Sequence, residues 1–222
     1  SFKSLTPMEE LELLKSKWQE ENQNLPKLTY DDIYRLLHKK SASIVRWIFI
    51  ISIIELIFWI LCGLLTPESN VELFHQMGLK KTTSITYVFH YIIIGVFLVL
   101  FYLNHKNIKT TATVKTLMQN IIKTRKTVTN FVIYNLVSTA LMLLFLNFYF
   151  FSNKEQLFNL LLTLDDSYQN LNLESFTTIF FITQFVVAIV SLVLIGLFYR
   201  VIYGILLKKL KNNYKELEKI EF

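Results

Sequence analysis

The chain has 222 residues, 53% of them apolar, with a mean hydropathy of +0.40, 19 Phe and only 5 Gly and 3 Pro. That is too apolar for an ordinary soluble domain of this length and points to a helical membrane protein. The net charge of +6 does not indicate nucleic acid, because the bases cluster beside the apolar runs, where membrane topology alone would put them. The single cysteine, Cys62, excludes an intrachain disulfide or a cysteine-based zinc framework.

Thr6-Pro7-Met8-Glu9 opens the first predicted helix: Thr6 can cap it, Pro7 suits its first turn and Glu9 completes a capping box. Met8, Leu11, Leu14 and Trp18 recur at spacings of three and four beside an acidic face of Glu9, Glu10, Glu12, Glu20 and Glu21. Leu25-Pro26 interrupts. A second short helix is predicted from Thr29, with Asp32 three residues on and Ile33, Leu36 and Leu37 before the basic run His38-Lys39-Lys40. Residues 1–43 thus read as a cytoplasmic helical arm, with 43 mostly polar residues ahead of the first apolar run. That run is expected to act as the membrane signal and to be retained.

Four apolar runs are long enough to cross about 30 Å of hydrocarbon. They cover about residues 44–65, 83–103, 131–151 and 177–207, the last passing beyond the hydrocarbon edge, and residues 208–222 continue as a cytoplasmic helix. The first run holds fifteen Ile, Leu, Val or Phe. Each contributes roughly −0.3 to −0.6 kcal/mol to insertion, which outweighs a central acid, Glu55, costing about +3.

Orientation follows from the connections. Residues 104–130 hold six Lys or Arg and no acid, whereas 152–176 hold Lys154 against Glu155, Asp165, Asp166 and Glu174. The basic connection is therefore expected inside, with both termini, and 66–82 and 152–176 outside. Lys80 and Lys81 are two bases on the outer side. Ser69-Asn70-Val71-Glu72 and Ser152-Asn153-Lys154-Glu155 look like matching capping boxes opening short outer helices. Thr82-Thr83 and Thr177-Thr178 then open the next spans. This hints at a duplicated two-helix unit that sets Glu55 opposite Ser138.

The inner connection carries Val114, Leu117, Met118, Ile121 and Ile122 at helical spacing among Lys and Thr, an amphipathic pattern. Its bases Lys115, Lys123, Arg125 and Lys126 serve the positive-inside rule and are candidates for anionic lipid headgroups. Leu206, Leu210, Tyr214 and Leu217 extend a stripe past the fourth span.

Glu55 is eleven residues past the inner start of its span, roughly 16 Å deep, while His90 and Gln184 fall roughly 20 Å from the inner face. The three form a candidate intramembrane polar cluster. A group of this kind marks either a polar clasp or an ion or proton route. A continuous relay is not visible, since span three offers only Asn135, Ser138, Thr139 and Asn147. His38, His75, His90 and His105 are scattered, and His90 and His105 on one helix would lie about 22 Å apart, so no metal site is expected. No phosphate loop, nucleophile elbow or Cys-His pair is present, and no catalytic residue or cofactor is assigned. No proline lies inside a span, so the broken helices of many transporters are missing.

The runs Glu10-Leu11-Glu12-Leu13-Leu14-Lys15 with Trp18, Pro26-Lys27-Leu28-Thr29-Tyr30-Asp31-Asp32-Ile33-Tyr34 and His38-Lys39-Lys40-Ser41-Ala42-Ser43-Ile44-Val45 resemble a flavobacterial family of small four-helix inner-membrane proteins. The resemblance covers most of the chain, with these motifs in its first third. Members often carry the label beta-carotene monooxygenase, and some are similar in layout to membrane proteins that accompany extracytoplasmic-function sigma factors. The resemblance implies a multi-pass protein of the bacterial inner membrane. Carotenoid oxygenases hold iron with several histidines, which the four here do not supply.

The expected fold is therefore all-α and polytopic, with four transmembrane helices. The expected function is non-enzymatic: the arm binds a cytoplasmic partner through Met8, Leu11, Leu14 and Trp18, in the manner of an anti-sigma factor. Residues 1–34 carry seven acids against four Lys, a net of −3, suited to a basic partner surface. The alternative is an oligomeric channel or proton-coupled carrier using Glu55 and His90. An enzyme on a lipophilic substrate is a further one. Membrane lipids and a second copy of the chain are the other expected partners, and intramolecular packing is the plainer role for Trp18.

Overall fold

A computed structural model describes Met8, Leu11, Glu12 and residues 14–17, 29–164 and 168–221. Every regular element among them is helical, and backbone packing divides the chain into units Ser1–Leu36 and Leu37–Phe222. The elements are α1 Tyr30–Leu64, α2 Glu68–Gln76, α3 Lys80–Lys109, α4 Val114–Ser152, α5 Lys154–Leu164 and α6 Leu173–Glu221. Four of them, α1, α3, α4 and α6, are long and apolar enough to cross a membrane.

In the first unit, Met8, Leu11, Glu12 and residues 14–17 are helical. Thr6, Pro7, Glu9, Glu10, Trp18, Glu20, Glu21 and Leu25-Pro26 lie outside the described residues. The helix at Thr29 begins on a reciprocal cap: the Thr29 backbone N–H donates to Asp32 Oδ2 at 3.1 Å, and the Asp32 N–H donates to Thr29 Oγ1 at 3.3 Å. The Thr29 hydroxyl also donates to Asp32 Oδ2 at 2.6 Å, and these bonds hold the Asp32 carboxyl below its usual range.

That helix does not stop before the first apolar run. It continues as α1, because nothing between His38 and Val45 breaks a helix. The same holds elsewhere. The basic connection and the third apolar run are one 39-residue helix, α4, which begins where Thr113 Oγ1 accepts the Thr116 N–H. The fourth run and the C-terminal stretch are one 49-residue helix, α6.

The two outer capping boxes do not form. Glu68 already starts α2 behind Pro67, so Ser69 lies inside the first turn, and no side chain caps that end. Ser152 is the last residue of α4 and donates its hydroxyl back to Phe148 O, with Asn153 donating to Tyr149 O. The helices that carry the next spans begin shortly before Thr82-Thr83 and Thr177-Thr178: α3 starts at Lys80, and α6 starts behind Asn172, whose Oδ1 accepts the Ser175 N–H at 2.7 Å. With the boxes gone, the aligned Ser-Asn pairs no longer support a duplication.

α2 ends in a Schellman motif. Gly78 has φ 74°, its N–H donates to His75 O, and the Leu79 N–H donates to Phe74 O at 2.9 Å. Met77 and Leu79 then sit buried with Phe150, Leu157 and Phe176 in a small core where α2 and α5 meet the ends of α4 and α6. Tyr149 ties this core by donating to Met77 O at 2.7 Å, and Gln156 donates to Gln76 O. A β-carbon at Gly78 would meet only the Tyr149 hydroxyl at 3.9 Å, so Gly78→Ala should cost about 1–2 kcal/mol through backbone strain alone. Gly95→Ala, in open space within α3, should be neutral or stabilise by up to about 1 kcal/mol, and unfolding in detergent measures both variants against the parent.

The larger core lies at the basic end of the bundle. Leu37, Ser41, Val45 and Ile48 of α1, Phe101, Asn104 and Ile108 of α3, and Leu117, Ile121, Thr124, Val128 and Phe131 of α4 are buried there with Tyr203, Leu210 and Leu217 of α6. The stripe predicted on the basic connection is therefore buried on neighbouring helices. α4 packs most extensively on α6 and then on α3. In α1, polar side chains supply bonds across the bundle: His38 Nε2 to Ile108 O at 2.7 Å, and Ser41 Oγ from Asn213 Nδ2 at 3.0 Å. Beyond Glu55 α1 has little cover, and all its residues from Ile57 to Leu64 are exposed.

Candidate functional site

Among the described residues, Glu55 is the ionisable side chain buried in the bundle core, 8% exposed. It projects from α1 toward α6, where Tyr199 and Tyr203 stand one turn apart on the same face. The Tyr199 hydroxyl donates to Glu55 Oε1, and the Tyr203 hydroxyl donates to Oε2 at 3.0 Å. Two O–H donors thus replace water that burial removes, one for each carboxylate oxygen.

Behind the tyrosines, Phe131 of α4 packs on both rings, with centroids 6.3 Å from Tyr199 and 5.8 Å from Tyr203. Phe97 and Phe101 of α3 close on Phe131 at 5.4 and 5.3 Å. One aromatic layer therefore joins α3, α4 and α6 and fixes where the two tyrosines stand, and the Glu55 carboxylate ties α1 to it. Polar side chains near it satisfy themselves locally: Ser52 donates to Phe49 O and Asn135 to Phe131 O.

This layer also corrects the depth of Glu55. Phe131 begins the third apolar run and Phe101 lies within the last turn of the second, so on α3 and α4 the carboxylate is level with the basic edge of the apolar zone. Counting from residue 44 assumed that the four runs start flush. They do not, because Glu55 of α1 reaches Tyr199 and Tyr203, whose rings pack on the first residue of the apolar run in α4.

The three residues expected to cluster have separate surroundings. His90 stacks on Tyr134 with centroids 5.6 Å apart, and its Nδ1 pairs with the Tyr134 hydroxyl at 3.1 Å. Gln184 is half-buried and lies fifteen residues before Tyr199 on α6, about 22 Å along the helix. Among the described residues no hydrogen bond joins Glu55, His90 and Gln184. Ser138, aligned with Glu55 by the supposed repeat, donates to Asn135 O and lines a shallow groove with Asn130 and Tyr134.

Of the four candidate lipid-headgroup residues, Lys115, Lys123 and Lys126 are exposed, whereas Arg125 is half-buried. Met8, Leu11 and Leu14 of the candidate partner stripe are exposed, and Trp18 lies outside the described residues. Among the described residues no three His, Cys, Asp or Glu side chains gather as a metal site would require.

Sequence reasoning missed Tyr199, Tyr203, Tyr134 and the Phe131 layer. A signal existed: Tyr199, Tyr203, Leu210 and Leu217 are spaced by four, seven and seven, a heptad stripe that carries two hydroxyls into the bundle. Neither a curated protein nor a solved structure matches the sequence. Residues 31–222, the whole four-helix region with its glutamate clasp, match the model of a domain of unknown function, DUF8845, and the chain belongs to that family.

Proposed function

We propose that this protein is a non-enzymatic, multi-pass protein of the bacterial inner membrane that binds a cytoplasmic partner through its N-terminal arm, in the manner of an anti-sigma factor. The observation that carries this reading is the exposure of Met8, Leu11 and Leu14, at 78%, 67% and 66%, on helical residues of the first unit. Three large apolar side chains at one helical spacing favour a partner surface over intramolecular packing. The net charge of −3 over residues 1–34 suits a basic partner, such as a nucleic-acid-binding protein whose surface the arm would cover. The resemblance to a flavobacterial family, some of whose members are similar in layout to membrane proteins that accompany sigma factors, supports the same reading. The clasp is then structural, since each Glu55 oxygen already accepts a tyrosine hydroxyl.

The test uses the full chain in detergent with a purified sigma factor from the same genome. Trp18→Ala should weaken capture about thirtyfold, or 2 kcal/mol, as loss of an aromatic anchor does. Leu14→Asp should abolish it, and raised salt should weaken it. Equal capture by all three chains in a titration would remove the stripe from the interface.

The proposed orientation puts both termini and residues 104–130 in the cytoplasm. In a Cys62→Ser chain, Asn170→Cys should react with an impermeant maleimide in intact spheroplasts, and Thr116→Cys only after lysis. Both positions are exposed, whereas Thr124 is fully buried. The reverse labelling pattern would invert the topology.

A further inference from the structure

Arg125 differs from the lysines around it. Its Nε is buried and has no hydrogen-bond partner, although a guanidinium keeps its charge under all ordinary conditions. A buried N–H left unpaired is costly, and the charge of the half-buried guanidinium that carries it is best met by an anion. Among the described residues none pairs with that N–H. α3 and α4 contain no Asp or Glu, and on α6 no acid stands between Glu174 and Glu216. Glu55, the acid of the aromatic layer, has both oxygens engaged by tyrosines.

The register of α4 on α6 gives Arg125 its company. Phe131 packs between Tyr199 and Tyr203, and the two helices run antiparallel. Arg125, six residues before Phe131, is therefore about 9 Å nearer the basic end, level with Lys208 and Lys209 within a turn. Lys123 and Lys126 stand at the same level on α4. The layer is basic, without acids, and lies just beyond the apolar run that starts at Phe131. That is where phospholipid phosphates sit against a membrane protein.

We propose that the Arg125 guanidinium, at the basic end of the α4–α6 pair, anchors a phosphate site for an anionic lipid headgroup, with Lys126, Lys208 and Lys209 around it. This goes beyond general attraction to a charged leaflet. A guanidinium offers a planar fork to two phosphate oxygens, whereas a lysine offers a point charge. The site therefore depends on Arg125 in particular, and independently of any partner of the arm.

The test measures retained lipid by native mass spectrometry and melting temperature for the full chain in nanodiscs of phosphatidylcholine, with and without phosphatidylglycerol. The wild type should retain phosphatidylglycerol and melt higher in its presence. Arg125→Gln should lower its affinity about tenfold or more, and Arg125→Lys should recover only part of the loss. Lys106→Gln removes an exposed base at the same end of α3 and should leave affinity unchanged. Equal losses from Arg125→Gln and Lys106→Gln would show diffuse attraction and overturn the site. Inorganic phosphate giving the same melting shift in neutral nanodiscs would assign the anion to solution rather than lipid and overturn the lipid assignment. Should Arg125→Gln not fold, Arg125→Lys carries the test, and wild-type affinity in that variant would overturn the proposal.

Discussion

Phe131→Ala should destabilise the protein by about 3–5 kcal/mol, the cost of emptying a packed aromatic site whose walls cannot fully collapse. Phe131 is 2% exposed and touches Phe97 and Phe101 on one side and Tyr199 and Tyr203 on the other. Its removal unpins α4 from α3 and α6 together. In a bilayer this loss is one of packing rather than of water exclusion, because lipid tails are as apolar as the core. Phe148→Ala, on the same helix but 73% exposed, should stay within about 0.5 kcal/mol of the parent. Reversible unfolding in mixed micelles reads both. Equal losses would mean that the aromatic layer does not organise the bundle.

Hydropathy made the four long helices legible, because runs such as residues 44–65 admit no other reading at that length. Helix ends were not legible in the same way. Lys115, Lys123, Arg125 and Lys126 mark where the apolar zone stops, but Lys, Arg and Gln are good helix formers, so the charge boundary and the helix boundary differ. Thr113 ends that ambiguity by capping α4, and the apolar face from Val114 to Val128 then packs as a core. Capping boxes misled at the other end. Ser69 and Ser152 have the right spacing to Glu72 and Glu155, yet Pro67 favours an earlier start for α2, and the run before Ser152 carries α4 up to it.

The site was legible in its acid and not in its partners. A lone Glu in an apolar run stands out on any scale, whereas Tyr199 and Tyr203 score as ordinary aromatics, and their hydroxyls matter only once register is known. Register between helices is set by three-dimensional packing, here by Phe131 against both rings, and no count along a single helix supplies it. The expected clustering of Glu55 with Gln184 failed on that point: residues counted to within about one helical turn of depth lie on helices whose apolar runs are offset along the bundle.

Glu55→Leu is expected to cost about 2 kcal/mol or more, because it leaves two buried phenolic hydroxyls without an acceptor and each orphaned donor costs about 1–3 kcal/mol in a protein interior. Hydrogen bonds within a membrane average only about 0.6 kcal/mol, with a ceiling near 1.7, so loss of the bonds alone would give a smaller effect. The two contributions separate on a triple variant. If the orphaned hydroxyls dominate, Glu55→Leu with Tyr199→Phe and Tyr203→Phe removes every polar member at once and should return to within about 1 kcal/mol of the parent. If lost packing dominates, the triple variant stays as unstable as Glu55→Leu. Glu55→Gln keeps one acceptor and adds a donor in the same volume, so it should remain folded and should still capture the partner proposed for the arm. A proton route through Glu55 predicts a different result for that variant, a stable protein that has lost activity, because the titratable group is gone while the packing is kept. Melting temperature and partner capture measured together on these variants decide whether the glutamate holds α1 to α6 or moves charge between them.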